Sequence, residues 1–143
     1  MSETANRAEK TKRMGNEKRP WAGYILSGLP ALFLLIDAAG KFVKPAAVVE
    51  GTQQLGYSES VILPLGIILL VSTIIYIIPR TSILGAILLT GYLGGAVATH
   101  VRVGSPLFSH TFFPVYLGVM LWLGLYLREN RLRLLVPLRK GGV

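Results

Sequence analysis

Four long apolar runs, with the charges swept toward the two ends of the chain, leave few folds open to this sequence. Trp21–Ala39 is broken only by Gly23, Ser27, Gly28, Pro30 and Asp37, and Val61–Ile78 carries no charge at all. Ser82–His100 is rich in small residues, and Thr111–Leu127 ends in aromatics followed by an abrupt basic segment. About 20 mostly apolar residues are needed for a helix to cross roughly 30 Å of hydrocarbon, and each run approaches that length. Of 15 bases and 7 acids in 143 residues, six bases and three acids precede Trp21, and five bases and one acid follow Leu127. A soluble domain carries about 25% charged residues; this chain has 15%. The expected fold is therefore an all-α integral membrane protein: a four-span transmembrane helix bundle over residues 21–127, with spans at about 21–39, 61–78, 82–100 and 111–127. Basic tails, residues 1–20 and 128–143, flank it.

The first run follows a basic stretch, as a signal peptide would, but it is longer than a signal core, and Asp37 and Lys41 flank the small residues that could imitate a cleavage site. We read it as a retained span. Lys and Arg accumulate on the cytoplasmic side of short loops. With the N-terminus inside, twelve bases lie on the cytoplasmic side, leaving only Lys41, Lys44 and Arg102 outside. Both termini are thus expected in the cytoplasm, with the protein multi-pass in a bacterial inner membrane.

The high pI, about 10.1, does not imply nucleic-acid binding. Basic residues beside spans fix topology and attract anionic headgroups. Arg128, Arg131, Arg133 and Arg139 alternate with leucines and Val136, as in an interfacial segment. Residues 1–19 lack an apolar face and are expected to be without fixed structure.

Chemically capable residues collect at the outer end of this topology. Asp37 and Lys41 are four apart, within reach across one helical turn. Glu50 and Glu59 lie in the long loop, His100 and Arg102 close the third span, and His110 opens the fourth. Asp37, Lys41, Glu50, His100 and Arg102 are the candidate ligand-binding residues. A metal site is not expected: there is no cysteine, and two histidines without a third nitrogen or sulfur ligand make a poor first shell. Haem is disfavoured on the same ground. Gly91, Gly95 and Ala98 fall with Arg102 in one stripe of the third span and fit a small-xxx-small packing face. Between spans one and two, a short amphipathic outer helix is expected from about Ala46 to Leu55, ended by Gly56.

Taken together, Pro45-x-x-Val-Val-Glu-Gly-x-x-x-Leu-Gly-Tyr57, Gly91-Tyr-x-Gly-Gly-Ala-x-Ala-Thr-His-x-Arg102, Pro106-Leu107, Phe113-Pro114 and Trp122-x-Gly-Leu125 resemble the DoxX-like family of small bacterial membrane proteins, over about residues 22–138. Lys41, Glu50, Gly51, Gly56, Tyr57, His100 and Arg102 match the recurrent pattern. The resemblance implies a four-helix bundle in the cytoplasmic membrane and, more faintly, a link to redox or quinone-handling complexes. With no complete catalytic set in the sequence, the expected role is a non-catalytic subunit of a larger membrane complex. Its partners would be membrane lipids and other subunits or further copies of itself. Two alternatives stand beside it: a quinone- or lipophile-binding protein or oxidoreductase with an outer polar pocket, and an oligomeric transporter.

Overall fold

The computed structural model describes residues 2–136, without the side chains of residues 14–20. The described residues are helical nearly throughout: α1 (Glu3–Val43), α2 (Ala46–Gln54), α3 (Ile62–Ile77), α4 (Ser82–Arg102), α5 (Phe113–Arg128) and α6 (Asn130–Leu135). A short 3₁₀ turn at Glu59–Val61 leads into α3, and one wide turn at Leu107–Thr111 leads into α5. Four segments are long and apolar enough to cross a membrane: Trp21–Val43, Glu59–Ile77, Ser82–Arg102 and Leu107–Arg128. These are the four expected spans, each extended by polar residues at one or both ends.

Local chemistry sets the boundaries. α1 runs past Ala39 because Lys41 Nζ donates to Asp37 Oδ2 at 2.7 Å, one turn back. It stops at Lys44, whose left-handed backbone (φ 53°) directs its N–H to the Gly40 carbonyl. α3 ends at Ile78, held extended before Pro79, the conformation that a following proline enforces. Pro114 opens α5 from its first turn, where a missing N–H costs nothing. The N-terminal segment departs from expectation. It is helical from Glu3, with Glu9 and Arg13 paired at 2.7 Å and Thr11 Oγ1 donating to the Arg7 carbonyl. Without an apolar face, its helix is propagated from the span and supported by such (i, i+4) pairs. In the C-terminal tail α6 presents Leu132 to the core; Leu138, Arg139 and Lys140 lie outside the described residues.

The spanning helices form a ring in which α1 packs on α3, α3 on α4, α4 on α5 and α5 on α1. At the end carrying the termini the ring is closed tightly. A Cβ on Gly124 would lie 2.5 Å from Ser27 N and 2.9 Å from the Gly23 carbonyl, so α1 and α5 meet backbone to backbone. A Cβ on Gly85 would strike the Tyr76 backbone where α3 meets α4. Tyr76 fills the centre and donates its hydroxyl across the ring to the Leu121 carbonyl at 2.7 Å. Arg128 closes this end, its guanidinium 5.8 Å from the Tyr24 ring and 5.2 Å from the Tyr76 ring. The outer surface is the reverse of a soluble protein's. Ile67, Ile68, Val71, Ile74, Leu84 and Ile87 are among many exposed large apolar residues, an area that only lipid or another apolar surface would tolerate.

The expected packing face on α4 is not where the helices meet. No atom of the described residues lies within 4 Å of a Cβ built on Gly91 or Gly95, and Ala98 is exposed. The close approaches fall at Gly23, Gly66, Gly85 and Gly124 instead. Small residues permit close approach only where another helix crosses them, and a single helix's spacing does not say where that is.

This division predicts opposite signs for one substitution. Gly124→Ala and Gly85→Ala should each destabilise the protein by about 1–3 kcal/mol through overpacking. Gly91→Ala should be neutral or stabilising by up to about 1 kcal/mol, since alanine is the better helix former. Thermal unfolding in detergent, followed by circular dichroism, reads both.

Candidate functional site

At the opposite end the ring opens. The same four helices enclose a cavity of about 540 Å³, within the range of roughly 300–1,000 Å³ typical of small-molecule sites. It exists because α4 withholds side chains there: Gly91, Gly95 and Ala96 line it. Phe33 and Leu34 of α1, Leu65 and Ile68 of α3, and Phe113 and Leu117 of α5 supply apolar walls. Phe33 and Phe113 meet edge to face, with ring centroids 5.2 Å apart.

The polar groups are few and lie toward the open end. Asp37 and Lys41 line the cavity as a pair, the lysine side chain 15% exposed and the aspartate 39%. Lys41 is fixed from behind, its Cβ packed against Gly66 of α3. Asp37 lies six residues before the end of α1, about 9 Å along its axis at 1.5 Å per residue. Tyr92, Thr99 and His100 of α4, Thr52 of α2 and Tyr57 complete the polar lining.

Over this end lies α2, which buries none of its own residues. Its C-terminal side is fastened to α4 by two contacts. Arg102 Nη2 donates to the Leu55 carbonyl at 2.7 Å, with its guanidinium 5.9 Å from the Tyr57 ring. Tyr57 Oη and Thr99 Oγ1 share a hydrogen bond at 2.8 Å, and Thr99 donates in turn to the Gly95 carbonyl at 2.9 Å. Gly56 is required between them: its φ is +83°, and a Cβ there would come within 3.0 Å of Arg102 Nη2.

The five candidate residues are thus dispersed by role. Asp37, Lys41 and His100 line the cavity. Arg102 fastens α2, and Glu50 is exposed on α2. His100 and His110, ten residues apart, are brought to 6.0 Å between ring centroids by the wide turn. Each nonetheless shares its Nδ1 with a serine, His100 with Ser105 at 3.0 Å and His110 with Ser109 at 2.7 Å. No group of three metal-capable side chains forms among the described residues. Tyr92 and Tyr57 were not among the candidate ligand-binding residues, although Tyr57 matched the family's recurrent pattern. Both sit inside the Gly-Tyr motifs that carry the family resemblance, which was their only signal.

The sequence pattern of the DoxX-like family matches residues 25–124, more than two thirds of the chain, and takes in every cavity-lining residue. The chain belongs to the DoxX-like family. It is a small multi-pass integral membrane protein of that family, with the four apolar helices that such a protein needs. No curated protein and no solved structure shows significant similarity to this DoxX-like chain.

The fastening of α2 rests on single contacts, so its loss should be local. Tyr57→Phe removes a hydrogen bond worth about 1 kcal/mol, and Gly56→Ala forces an alanine into a left-handed backbone at about 1–2 kcal/mol. Both should speed hydrogen exchange across residues 46–54 while leaving the core amides of α3 and α5 unchanged.

Proposed function

We propose that this protein binds a membrane-soluble small molecule with a polar head, of the quinone class or similar, in the cavity under α2. The observation that carries the reading is the cavity's composition: apolar walls on three helices and a small polar group, Asp37, Lys41, Tyr92 and His100, at one end. Such a site orients an amphiphile, since the few polar groups choose which end enters. Lys41 and the Tyr92 hydroxyl can donate to a carbonyl oxygen, and the Asp37 carboxylate can accept from a hydroxyl. His100 adds ring nitrogens that can donate to or accept from the head group. Asp37 and His100 could therefore serve proton movement at a bound head group, which is the oxidoreductase form of the same reading.

A role as a subunit of a larger membrane complex is a second reading. An open groove of about 570 Å³ between α4 and α5, lined by Leu93, Gly94, Gly118 and Trp122, is almost wholly apolar and would accept a helix of another chain. Transport by an oligomer has no such feature in its favour. On orientation, the excess of Lys and Arg at the closed end supports cytoplasmic termini, and with them a cavity toward the outer face of a bacterial inner membrane.

Two measurements test these readings. Native mass spectrometry of protein extracted gently from its own membrane should show one bound lipophile per chain. Asp37→Asn and Lys41→Met should each lower its occupancy about tenfold, the loss expected for a hydrogen bond to a charged group. A bare wild-type chain, or unchanged occupancy in both variants, overturns the binding reading; a stoichiometric protein partner instead supports the subunit reading. Fusions at either terminus should fluoresce with green fluorescent protein and be inactive with alkaline phosphatase. The reverse pattern overturns the orientation.

A further inference from the structure

We propose that the cavity is entered sideways from the bilayer, through a window between α3 and α4, and that its ligand is a lipophile whose tail remains in the lipid outside. This rests on the binding reading above and adds the route and the shape of the molecule. The face of α3 turned toward α4 changes along its length. Tyr76 and Ser72 are 1% and 4% exposed, whereas Ile68, one turn further toward the open end, is 53% exposed although it lines the cavity. The two helices are in backbone contact at Gly85 and Tyr76, whereas further toward the open end nothing among the described residues packs against Gly91 or Gly95 of α4.

The facing edge of α4 is bare at that level. Gly91 and Gly95 both line the cavity and are both exposed, with no atom of the described residues within 4 Å of a Cβ on either. Wherever α4 presents no side chain and α3 presents one exposed isoleucine, the cavity communicates with the surface. The gap closes again at Thr99, where Tyr57 bonds to it at 2.8 Å beneath α2. The opposite side, between α1 and α5, is spanned by the Phe33–Phe113 ring pair. The result is a window bounded below by the Gly85 crossing and above by the Tyr57–Thr99 bond. It opens in the flank of apolar helices where lipid chains lie. A molecule larger than about 540 Å³ could then seat its head by Asp37 and leave its tail in the bilayer.

The chain has only two tryptophans, so a single reporter can be set in it. Trp21 and Trp122 lie outside the cavity lining and are replaced by phenylalanine, and Leu117→Trp places one reporter on the apolar cavity wall, at a position buried from the surrounding lipid. In nanodiscs, decyl-benzoquinone dissolved in the bilayer is the quenching probe and acrylamide the aqueous one. The bilayer probe should quench the reporter strongly and saturably, acrylamide weakly. Adding Gly91→Leu with Gly95→Leu, for which the structure has open room, should abolish most of the quenching. Gly28→Leu, on an open face of α1 away from the cavity, should leave it intact. Circular dichroism melting of the double variant confirms that it remains folded. Saturable quenching that the double variant leaves unchanged overturns the window and keeps the site. Quenching that never saturates but is lost in the double variant keeps the window and overturns the binding reading. Stronger quenching by acrylamide than by the quinone overturns lateral entry in favour of a route from water.

Discussion

The backbone contact of α1 with α5 at Gly23 and Gly124, and of α3 with α4 at Gly85 and Tyr76, fixes the distance between helices at one end of the ring. Helices brought that close at one end leave the spacing at the other to the side chains there, and α4 offers Gly91, Gly95 and Ala96 at that level. In a membrane this closeness is favoured by packing and not by escape from water, because lipid tails are as apolar as leucine. The glycines at the closed end are therefore the source of the bundle's shape. The hydroxyl of Tyr76 reinforces it by reaching the Leu121 carbonyl across the ring, a bond with no water to compete for either partner. The cavity is the geometric remainder at the open end.

That remainder is kept from collapsing by what stands at its rim. The Asp37–Lys41 pair stiffens the last turns of α1, and Gly66 admits the stem of Lys41 against α3. The Phe33–Phe113 pair spaces α1 from α5. α2 spans the opening under three constraints of backbone and side chain: the left-handed turn at Lys44, the left-handed Gly56, and the Arg102 guanidinium between them and α4. Polar groups at this end thus do two jobs, some facing the cavity and some tying its cover.

Span number, helical class and α2 were legible in the sequence because each depends on a local property: apolar length, or a glycine after an amphipathic run. The chemistry of the site was legible in part for a similar reason. Topology alone sends Asp37, Lys41, His100 and Arg102 to one end, and the (i, i+4) spacing of the first two anticipates their bond. What each residue faces depends on how the helices are rotated about their axes. In spans that are apolar all round, periodicity does not report that rotation. Arg102 and Glu50 were accordingly placed with the cavity residues when one ties α2 and the other faces outward. Gly91 and Gly95, expected as a packing face, line the cavity and are exposed, with no other helix among the described residues of this chain against them. The N-terminal helix was missed because an isolated polar segment is a poor helix, whereas one continued from a stable span avoids the cost of nucleation.

The unequal lengths of the helices have a bearing on how the protein sits in its membrane. The spanning segment of α1, 23 residues, is about 35 Å long at 1.5 Å per residue, and that of α3, 19 residues, about 28 Å. The hydrocarbon layer is about 30 Å thick, so the α3 segment barely reaches across it and α1 has length to spare. If the closed end is held at one interface by Arg128 and its two tyrosines, the surplus of α1 emerges at the other. It is this surplus that carries Asp37 and Lys41. The ion pair would then lie at the depth of lipid headgroups while the floor of the cavity lies among acyl chains. An amphiphile seated there would keep the tilt and polarity it already has in the surrounding leaflet, and could exchange with the membrane without turning over.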